Sequence, residues 1–263
     1  MIFEVVPGTV YFIGAGPGAA DLMTLRGRAL IEAADLVLFA DSLIDPVQMA
    51  AAKPGARVVG TSPMVLAEIV ALMVESARAG DVVVRLQSGD PTIFGALHEQ
   101  LRALTEADVP TVVVPGVSSV TAAAAGLGIE LTVPGIAQTV ILARASGRAS
   151  PVPERESLRG LAAHGATLAL FLSAGLIEEA VRELIEGGYA PETPAAIAFR
   201  VSWPDECLVR CSLAQVATRM QEEAITRTAL VLVGPAVGTD EDTRSRLYDV
   251  GYSHRYRQGT SSS

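Results

Sequence analysis

Short apolar runs alternate along the chain with longer segments that carry apolar residues at helical spacing. Residues 10–13 form a β-branched and aromatic run bounded by turn residues, which predicts a buried strand. Residues 24–34 then follow a helical period, and residues 35–39 predict a second strand. A strand, helix and strand in this order favour a parallel sheet. The pattern therefore predicts an α/β protein.

The same alternation continues to the region near residue 233. Further strands are predicted at 57–59, 81–86, 111–114, 138–143, 167–172, 195–199, 207–211 and 229–233, and further helices at 65–78, 93–107, 120–125, 156–164, 177–186 and 213–223. Composition shifts near residues 131–135, where Pro and Gly interrupt the pattern. We therefore expect an N-terminal α/β domain (1–133), a C-terminal α/β domain (134–238) and a polar tail (239–263).

Three predicted strands end in turns rich in Gly, Pro and Ser, at residues 14–18, 87–91 and 115–119. We call residues 14–18, Gly-Ala-Gly-Pro-Gly, the glycine loop. Ligands of open α/β sheets bind beyond the carboxyl ends of the strands, and glycine lets the main chain approach a ligand closely. The three turns therefore predict the rim of a ligand site. Asp41 follows the second strand at the same rim, where it suits a helix cap or turn as well as a functional carboxylate.

The glycine loop also fits a dinucleotide site in part. Gly14, Gly16 and Ala19 satisfy the lenient form of the fingerprint, with Asp41 as the acidic residue for the ribose. However, Pro17 removes a backbone N–H from the loop, and the next helix is delayed. An NAD-linked oxidoreductase and a non-catalytic nucleotide-binding regulator therefore stay open as alternatives.

Charge and composition narrow the class of partner. The formal net charge of −9 argues against binding to a long nucleic acid, although a local group of arginines can still bind an anionic small molecule. No apolar run reaches the ~18 residues of a membrane span, and no signal peptide is apparent, so we expect a cytoplasmic protein. Cys207 and Cys211 lack companions at metal-site spacing, so we expect structural thiols and no metal.

Several motifs together resemble the tetrapyrrole methylases, which methylate ring carbons with S-adenosylmethionine in sirohaem and cobalamin synthesis. They are the glycine loop, Asp21-Leu22-Met23-Thr24, Phe39-Ala40-Asp41-Ser42-Leu43, residues 85–95 around Ser88-Gly89-Asp90-Pro91, and Val114-Pro115-Gly116-Val117-Ser118-Ser119. The resemblance extends over residues 10–234. Residues 138–144, 169–173 and 203–206 are similar to the members that act on precorrin-4. The tail is similar to the tails of members of the aerobic branch. This similarity implies the metal-free substrate, and the cobalt form is the alternative.

The resemblance implies two α/β domains with the cofactor in the cleft between them, unlike a Rossmann-type methyltransferase, and a homodimer. It implies S-adenosylmethionine as cofactor, S-adenosylhomocysteine as its product and a small-molecule tetrapyrrole as substrate. The implied cofactor-binding residues are Pro17, Ser88, Gly89, Asp90, Ile93, Ser118, Ser119, Leu172, Val201 and Ala229. Asp41 is the candidate catalytic carboxylate. Because the substrate carries several carboxylates, the candidate clamps are Arg85, Arg144, Arg148 and Arg200, each of which also suits a solvated surface.

Overall fold

A computed structural model describes residues 4–147, 151–239 and 245–258, and its chain forms two compact units. The first unit comprises Met1–Ala122 and Arg200–Glu206, and the second comprises Ala123–Phe199 and Cys207–Ser263. Each unit contains a five-stranded sheet and packed helices. The predicted class of two α/β domains is confirmed.

The sheet of the first unit is parallel throughout. Its elements are β1 (Val10–Gly14), α1 (Leu25–Ala33), β2 (Leu36–Phe39), β3 (Arg57–Gly60), α2 (Leu66–Arg78), β4 (Val83–Gln87), α3 (Leu97–Glu106) and β5 (Thr111–Val114). The strand order is β3-β2-β4-β1-β5, and each neighbouring pair is parallel. All five carboxyl ends therefore lie at one edge of the sheet, where the predicted turns follow β1, β4 and β5.

The three central strands, β2, β4 and β1, are buried on both faces, which explains their nearly continuous apolar sequences. On β1, Ile13 packs in a cluster with Leu30 of α1, whereas Phe12 packs in another cluster with Met73 of α2 and Leu104 of α3. Each of these five side chains is fully buried. The alternation along β1 thus sends successive side chains to opposite helical layers and fixes the strand in the centre of the sheet.

Helix α3 begins at Leu97, later than the predicted start at residue 93. Phe94 and Ala96 have φ angles of 54° and 49°, in the left-handed region that interrupts a right-handed helix. The apolar spacing alone did not reveal these two residues. As a result, the loop after β4 is longer than predicted and stays close to the carboxyl edge.

The second unit has a mixed sheet. Its strands are β6 (Val140–Arg144), β7 (Thr167–Phe171), β8 (Pro194–Phe199), β9 (Cys207–Ser212) and β10 (Ala229–Val233), and its helices include α5 (Leu158–Ala162), α6 (Ile177–Glu186) and α7 (Val216–Glu222). The order is β6-β7-β10-β8-β9, with β6 parallel to β7 and the other pairs antiparallel. The carboxyl ends of β7 and β8 and the amino end of β10 therefore share one edge.

The division between the units falls at Ala122, inside α4 (Ser119–Leu127), whereas the sequence placed it after Val133. The segment between these positions is tied to the second unit by side chains that bond its carbonyl groups. The Arg210 guanidinium donates to Leu127 O, and Thr167 Oγ1 donates to Leu131 O at 2.8 Å. The domain limits stay a prediction.

Candidate active site

Three glycines bring the loops after β1, β4 and β5 into direct contact. A Cβ on Gly14 would lie 2.5 Å from both Gly116 Cα and Gly89 O, and a Cβ on Gly116 would lie 2.1 Å from Gly89 O. These separations are far below normal van der Waals distances, so main chain packs on main chain at all three positions. The three loops form one rim, as the sequence predicted for the strand ends.

Hydrogen bonds lock the same loops together. Gly16 and Gly89 exchange two backbone bonds, with N–O distances of 3.2 and 2.8 Å. Asp90 Oδ2 accepts from Gly116 N at 2.9 Å, while its Oδ1 accepts from the backbone N and hydroxyl of Thr92 at 2.8 and 2.5 Å. The Asp90 carboxylate thus joins the β4 loop to the β5 loop.

The remaining predicted cofactor residues of the first unit surround this junction. Pro17 is buried, Ser88 is exposed and Ile93 is half-buried. Ser118 Oγ accepts from Val120 N at 3.3 Å, so Ser118 caps the start of α4, and Ser119 is the first residue of that helix. The structure brings these residues to one rim; their contact with a cofactor stays a prediction.

The depressed pKa of Asp90 makes the rim sensitive to acid. Burial raises the pKa of this carboxyl, but its hydrogen bonds from Thr92 and Gly116 lower the pKa by more. A carboxyl whose folded pKa lies below its unfolded value stabilises the fold above the unfolded pKa, and this stabilisation is lost as pH falls through the folded pKa.

We therefore expect Asp90→Asn to lower the free energy of unfolding at neutral pH by roughly 1.5–3 kcal/mol, the range for hydrogen bonds to a charged group. The difference between the variant and the wild type should shrink below about pH 4, where an ordinary Asp becomes protonated. Denaturant unfolding of both proteins across this pH range measures the difference. A difference in the free energy of unfolding that stays the same at every pH would contradict a lowered pKa of Asp90.

Asp41 lies just beyond β2, at the same edge as the rim. Its Oδ1 accepts from Ser62 N at 2.8 Å, and its carboxyl group lies next to Gly60, whose added Cβ would be 2.8 Å from Asp41 Cγ. The Asp41 side chain is exposed to solvent. Hydrogen bonds from the Ser62 side chain and backbone lower the pKa of this carboxyl. Asp41 is therefore a fixed anion near neutral pH, better suited to stabilising positive charge than to taking up a proton.

Arg85 lies inside the first unit rather than on its surface. It is 7% exposed, and it donates from Nε to Gln100 Oε1 at 3.2 Å and from Nη1 to Thr61 Oγ1 at 3.1 Å. Burial lowers the pKa of Arg85 to about 10, so the group stays charged at neutral pH. Its position on β4 makes it a link between the strand and α3. The burial argues against the predicted contact with substrate, and we withdraw Arg85 as a clamp.

The other candidate clamps are differently placed. Arg200 pairs with Asp205 at 2.5 Å and stacks 4.1 Å above the ring of Trp203, so it is held within its own loop. Arg144 ends β6 in the second unit, and its Nη2 donates to Pro151 O at 3.4 Å. Arg148 lies outside the described residues. Arg144 is thus the described arginine that we retain as a candidate for substrate carboxylates.

Two of the predicted cofactor residues lie at one edge of the second sheet. Leu172 directly follows β7, has a φ angle of 49° and leaves 64% of its surface exposed. Ala229, at the start of β10, pairs with Phe199 of β8. Val231 pairs with Leu170 of the antiparallel strand β7, so Ala229 lies on the side of β10 towards Leu172. Left-handed backbone at a non-glycine residue is strained, and such strain concentrates at functional sites. An exposed apolar side chain on strained backbone suits packing against a flat ring.

The third, Val201, belongs to the segment Arg200–Glu206 of the first unit. It is 6% exposed, and its carbonyl oxygen would lie 2.9 Å from a Cβ on Gly18. The structure therefore places Val201 next to Gly18, the residue that follows Pro17, although the two are far apart in sequence. Without the resemblance, all three apolar residues would be interpreted as core.

Sequence reasoning missed the side chains that hold the glycine loop. Trp203 Nε1 donates to Pro17 O at 3.0 Å, Ser202 Oγ accepts from Ala19 N at 2.9 Å, and Gln48 Nε2 donates to Gly18 O at 2.8 Å. No local pattern links these positions, because each partner is distant along the chain. The single tryptophan of the sequence, in a loop of polar residues, was the available signal.

Neither cysteine is activated. Cys207 and Cys211 are free thiols on β9, and burial is the main cause that raises the pKa of each. Both thiols are therefore protonated at neutral pH. Among residues 4–147, 151–239 and 245–258, no group of three or more His, Cys, Asp and Glu side chains could hold a metal ion, and no helix is long and apolar enough to cross a membrane.

The sequence and the fold match those of a known class of enzymes. The family model of the tetrapyrrole (corrin/porphyrin) methylases matches residues 9–217, and the chain belongs to this family. The cobalt-precorrin-4 C(11)-methyltransferase of Methanocaldococcus jannaschii is 43% identical over 249 residues, covering 95% of this chain and 96% of that protein. The precorrin-4 C(11)-methyltransferase of Mycobacterium tuberculosis is 45% identical over 250 residues, covering 95% and 100%.

Solved structures agree with this assignment. The crystal structure of a cobalt precorrin-4 methyltransferase of cobalamin biosynthesis has a TM-score of 0.85 and 44% sequence identity, covering 88% of this chain and 97% of that one. A uroporphyrin-III C-methyl transferase from Thermus thermophilus, complexed with S-adenyl homocysteine, has a TM-score of 0.72 and 32% identity, covering 87% and 93%. The resemblance inferred from the motifs is therefore confirmed at the level of the family and its fold.

Proposed function

We propose that this protein transfers a methyl group from S-adenosylmethionine to C11 of precorrin-4, giving precorrin-5 in cobalamin synthesis. The observation that carries the proposal is the near full-length similarity, at 43% and 45% identity, to relatives named for methylation at C11. The relative named for uroporphyrin-III is less similar, at 32% identity. We take metal-free precorrin-4 as the substrate because the tail resembles the aerobic branch, and the cobalt form is the second candidate.

The residues present fit a nucleoside cofactor that carries an amino acid. Ser88, Ser118 and Ser119 offer hydroxyl and backbone groups at the rim, and Leu172 offers an exposed apolar side chain. The proposed contacts are Pro17, Ser88, Gly89, Asp90, Ile93, Ser118, Ser119, Leu172, Val201 and Ala229. These groups combine hydrogen bonding with apolar packing, as small-molecule sites do.

When bound, S-adenosylmethionine supplies a methyl group on a sulfonium, which is already an excellent leaving group. The chain therefore needs no strong nucleophile, in agreement with its protonated thiols. Its task is to orient a ring carbon of the substrate and to exclude water, and such positioning can lower a barrier by roughly 7–11 kcal/mol. Asp41 would stabilise the positive charge that develops on the macrocycle, and Arg144, together with Arg148, would hold substrate carboxylates.

The setting of the reaction follows from the same assignment. We expect a cytoplasmic protein that acts on a small-molecule tetrapyrrole. We also expect a homodimer, as the resemblance implies, which light scattering of the purified protein would measure.

Calorimetric titration of the purified protein with S-adenosylmethionine, S-adenosylhomocysteine and NAD tests the cofactor assignment. We expect micromolar binding of both sulfur compounds and no binding of NAD, because Pro17 has no N–H and the N–H groups of Gly16 and Ala19, which a pyrophosphate would need as donors, are already bonded within the protein. Binding of NAD alone would overturn the assignment and return the loop to the dehydrogenase interpretation. Tight binding of the sulfur compounds without any turnover would favour a regulator.

Turnover with the two forms of precorrin-4 tests the substrate assignment. Each form is supplied in excess with S-adenosylmethionine, and release of S-adenosylhomocysteine is followed by chromatography. We expect a higher kcat/KM with the metal-free form. A higher value with the cobalt form would assign the protein to the anaerobic branch.

A further inference from the structure

The glycine loop is held by side chains from other parts of the first unit. Two successive peptide groups, at the end of the loop and the start of the following segment, are bonded in this way: Pro17 O accepts from Trp203 Nε1, Gly18 O accepts from Gln48 Nε2, and Ala19 N donates to Ser202 Oγ. Gly16 and Gly18 give this loop wide conformational freedom, and Pro17 lacks an N–H. Outside contacts therefore define which conformation the loop adopts.

Trp203 also packs its ring against the loop. A Cβ on Gly18 would lie 2.2 Å from Trp203 Cδ1 and 2.6 Å from Nε1, so the indole lies directly against the loop backbone. Glycine at position 18 is required by this approach. The indole ring packs on backbone that carries no side chain, and its N–H donates to a single carbonyl group, Pro17 O. Such a contact sets the position of that carbonyl group.

The segment that carries Trp203 is itself rigidly built. Arg200 and Ser202 have φ angles of 46° and 64°, which cost conformational energy for residues with a side chain. Ser202 N donates to Glu206 Oε2 at 2.6 Å, and Arg200 both stacks on the indole and pairs with Asp205. These internal contacts hold the strained backbone and present Ser202 and Trp203 to the glycine loop in one orientation.

We propose that Arg200–Glu206 is a latch, in which Trp203 and Ser202 act as positioning residues that hold the glycine loop in the conformation that binds the cofactor. The inference rests on the proposed function, because Pro17 is one of the proposed cofactor contacts. The latch also places Val201, a second proposed contact, beside Gly18, the residue that follows Pro17. It acts on binding through the loop, and its two residues need not touch the cofactor.

Two conservative substitutions test the latch. Trp203→Phe keeps an aromatic ring and removes the N–H donor, and Ser202→Ala removes the hydroxyl acceptor. Each should raise the calorimetric Kd for S-adenosylhomocysteine and the KM for S-adenosylmethionine about three- to tenfold, the range for one hydrogen bond. The kcat at saturating cofactor should be unchanged. Together the two changes should be non-additive, because both act on one loop.

Ser157→Ala is the matched control. Ser157 Oγ accepts a backbone bond from Gly160 at the start of α5, in the second unit, so the variant also loses one serine-to-backbone hydrogen bond. It should affect thermal unfolding but leave the Kd for S-adenosylhomocysteine unchanged. If Trp203→Phe and Ser202→Ala keep the wild-type Kd and KM, or if Ser157→Ala weakens binding equally, the latch is wrong while the proposed function stands.

The wild-type chain supplies an independent readout. Trp203 is its single tryptophan, so tryptophan emission reports on the latch alone. Ser202→Ala should shift this emission relative to the wild type, because it releases a bond of the segment against which the indole packs, whereas Ser157→Ala should leave the emission unchanged. Identical emission from Ser202→Ala and the wild type would overturn the latch. Absence of calorimetric binding to the wild type would overturn the proposed function and the latch with it.

Discussion

Asp41→Asn should lower kcat for methylation of precorrin-4 by about 10²- to 10³-fold, the range for removing one preorganised electrostatic group. Asparagine has the shape of aspartate and can still accept the hydrogen bond from Ser62 N, so the local fold is preserved. What it lacks is the negative charge that would stabilise the methylated macrocycle. Steady-state kinetics at saturating S-adenosylmethionine measure the loss, and the Kd for S-adenosylhomocysteine should stay unchanged.

Gly60→Ala provides a matched test of position rather than charge. Its Cβ would lie 2.8–3.1 Å from the Asp41 carboxyl atoms, so the flexible side chain must shift while the backbone can stay in place. We expect normal unfolding and a smaller loss of kcat than in Asp41→Asn.

Because the pKa of Asp41 is lowered, kcat of the wild type should also show no dependence on the titration of this carboxyl group near neutral pH. Wild-type kcat in Asp41→Asn would remove Asp41 from the reaction.

Gly116→Ala should disrupt the rim itself. The new Cβ would lie 2.1 Å from Gly89 O and 2.7 Å from Gly14 Cα, and neither backbone can move without separating the loops. Overpacking of this kind costs about 1–3 kcal/mol of stability, occasionally more. Displacement of reacting groups by about 1 Å can cost 10²-fold in rate, so turnover should fall by about that factor. Thermal unfolding and initial rates measure the two effects.

Gly175→Ala is the control for this substitution, since no atom lies within 4 Å of its added Cβ and its φ is not in the left-handed region. It should unfold at the wild-type temperature or slightly above it, because alanine reduces the freedom of the unfolded chain. Equal losses in Gly116→Ala and Gly175→Ala would show that the close packing at the rim is unimportant.

The parts of the fold that depend on local pattern were predictable. The apolar run of β1 and its Gly-Ala-Gly-Pro-Gly ending specify a buried strand and a turn, and the same pattern at β4 and β5 placed three loops at one edge. The rim was therefore predictable without a structure. The identity of the ligand was not, because glycine turns serve many ligands, and it required the resemblance.

The features that depend on contacts between distant residues were not predictable from the sequence. The burial of Arg85 depends on Thr61 and Gln100, which are distant along the chain, so the carboxylates of the implied substrate alone suggested a clamp at this position. The contact of Trp203 with Pro17 joins residues that are 186 positions apart, and periodicity carries no information about it. These are contacts of tertiary packing, which overrides local preference.

Position-specific transfer of a labelled methyl group is the most direct test of the proposed activity. The purified protein is incubated with metal-free precorrin-4 and S-adenosylmethionine labelled with carbon-13 at the methyl group, and the product is examined by NMR. We predict one labelled methyl group, bonded to C11, and a strongly reduced yield with Asp41→Asn. A label at any other ring carbon, or no transfer to either form of precorrin-4 by a protein that binds S-adenosylmethionine, would contradict C11 methylation.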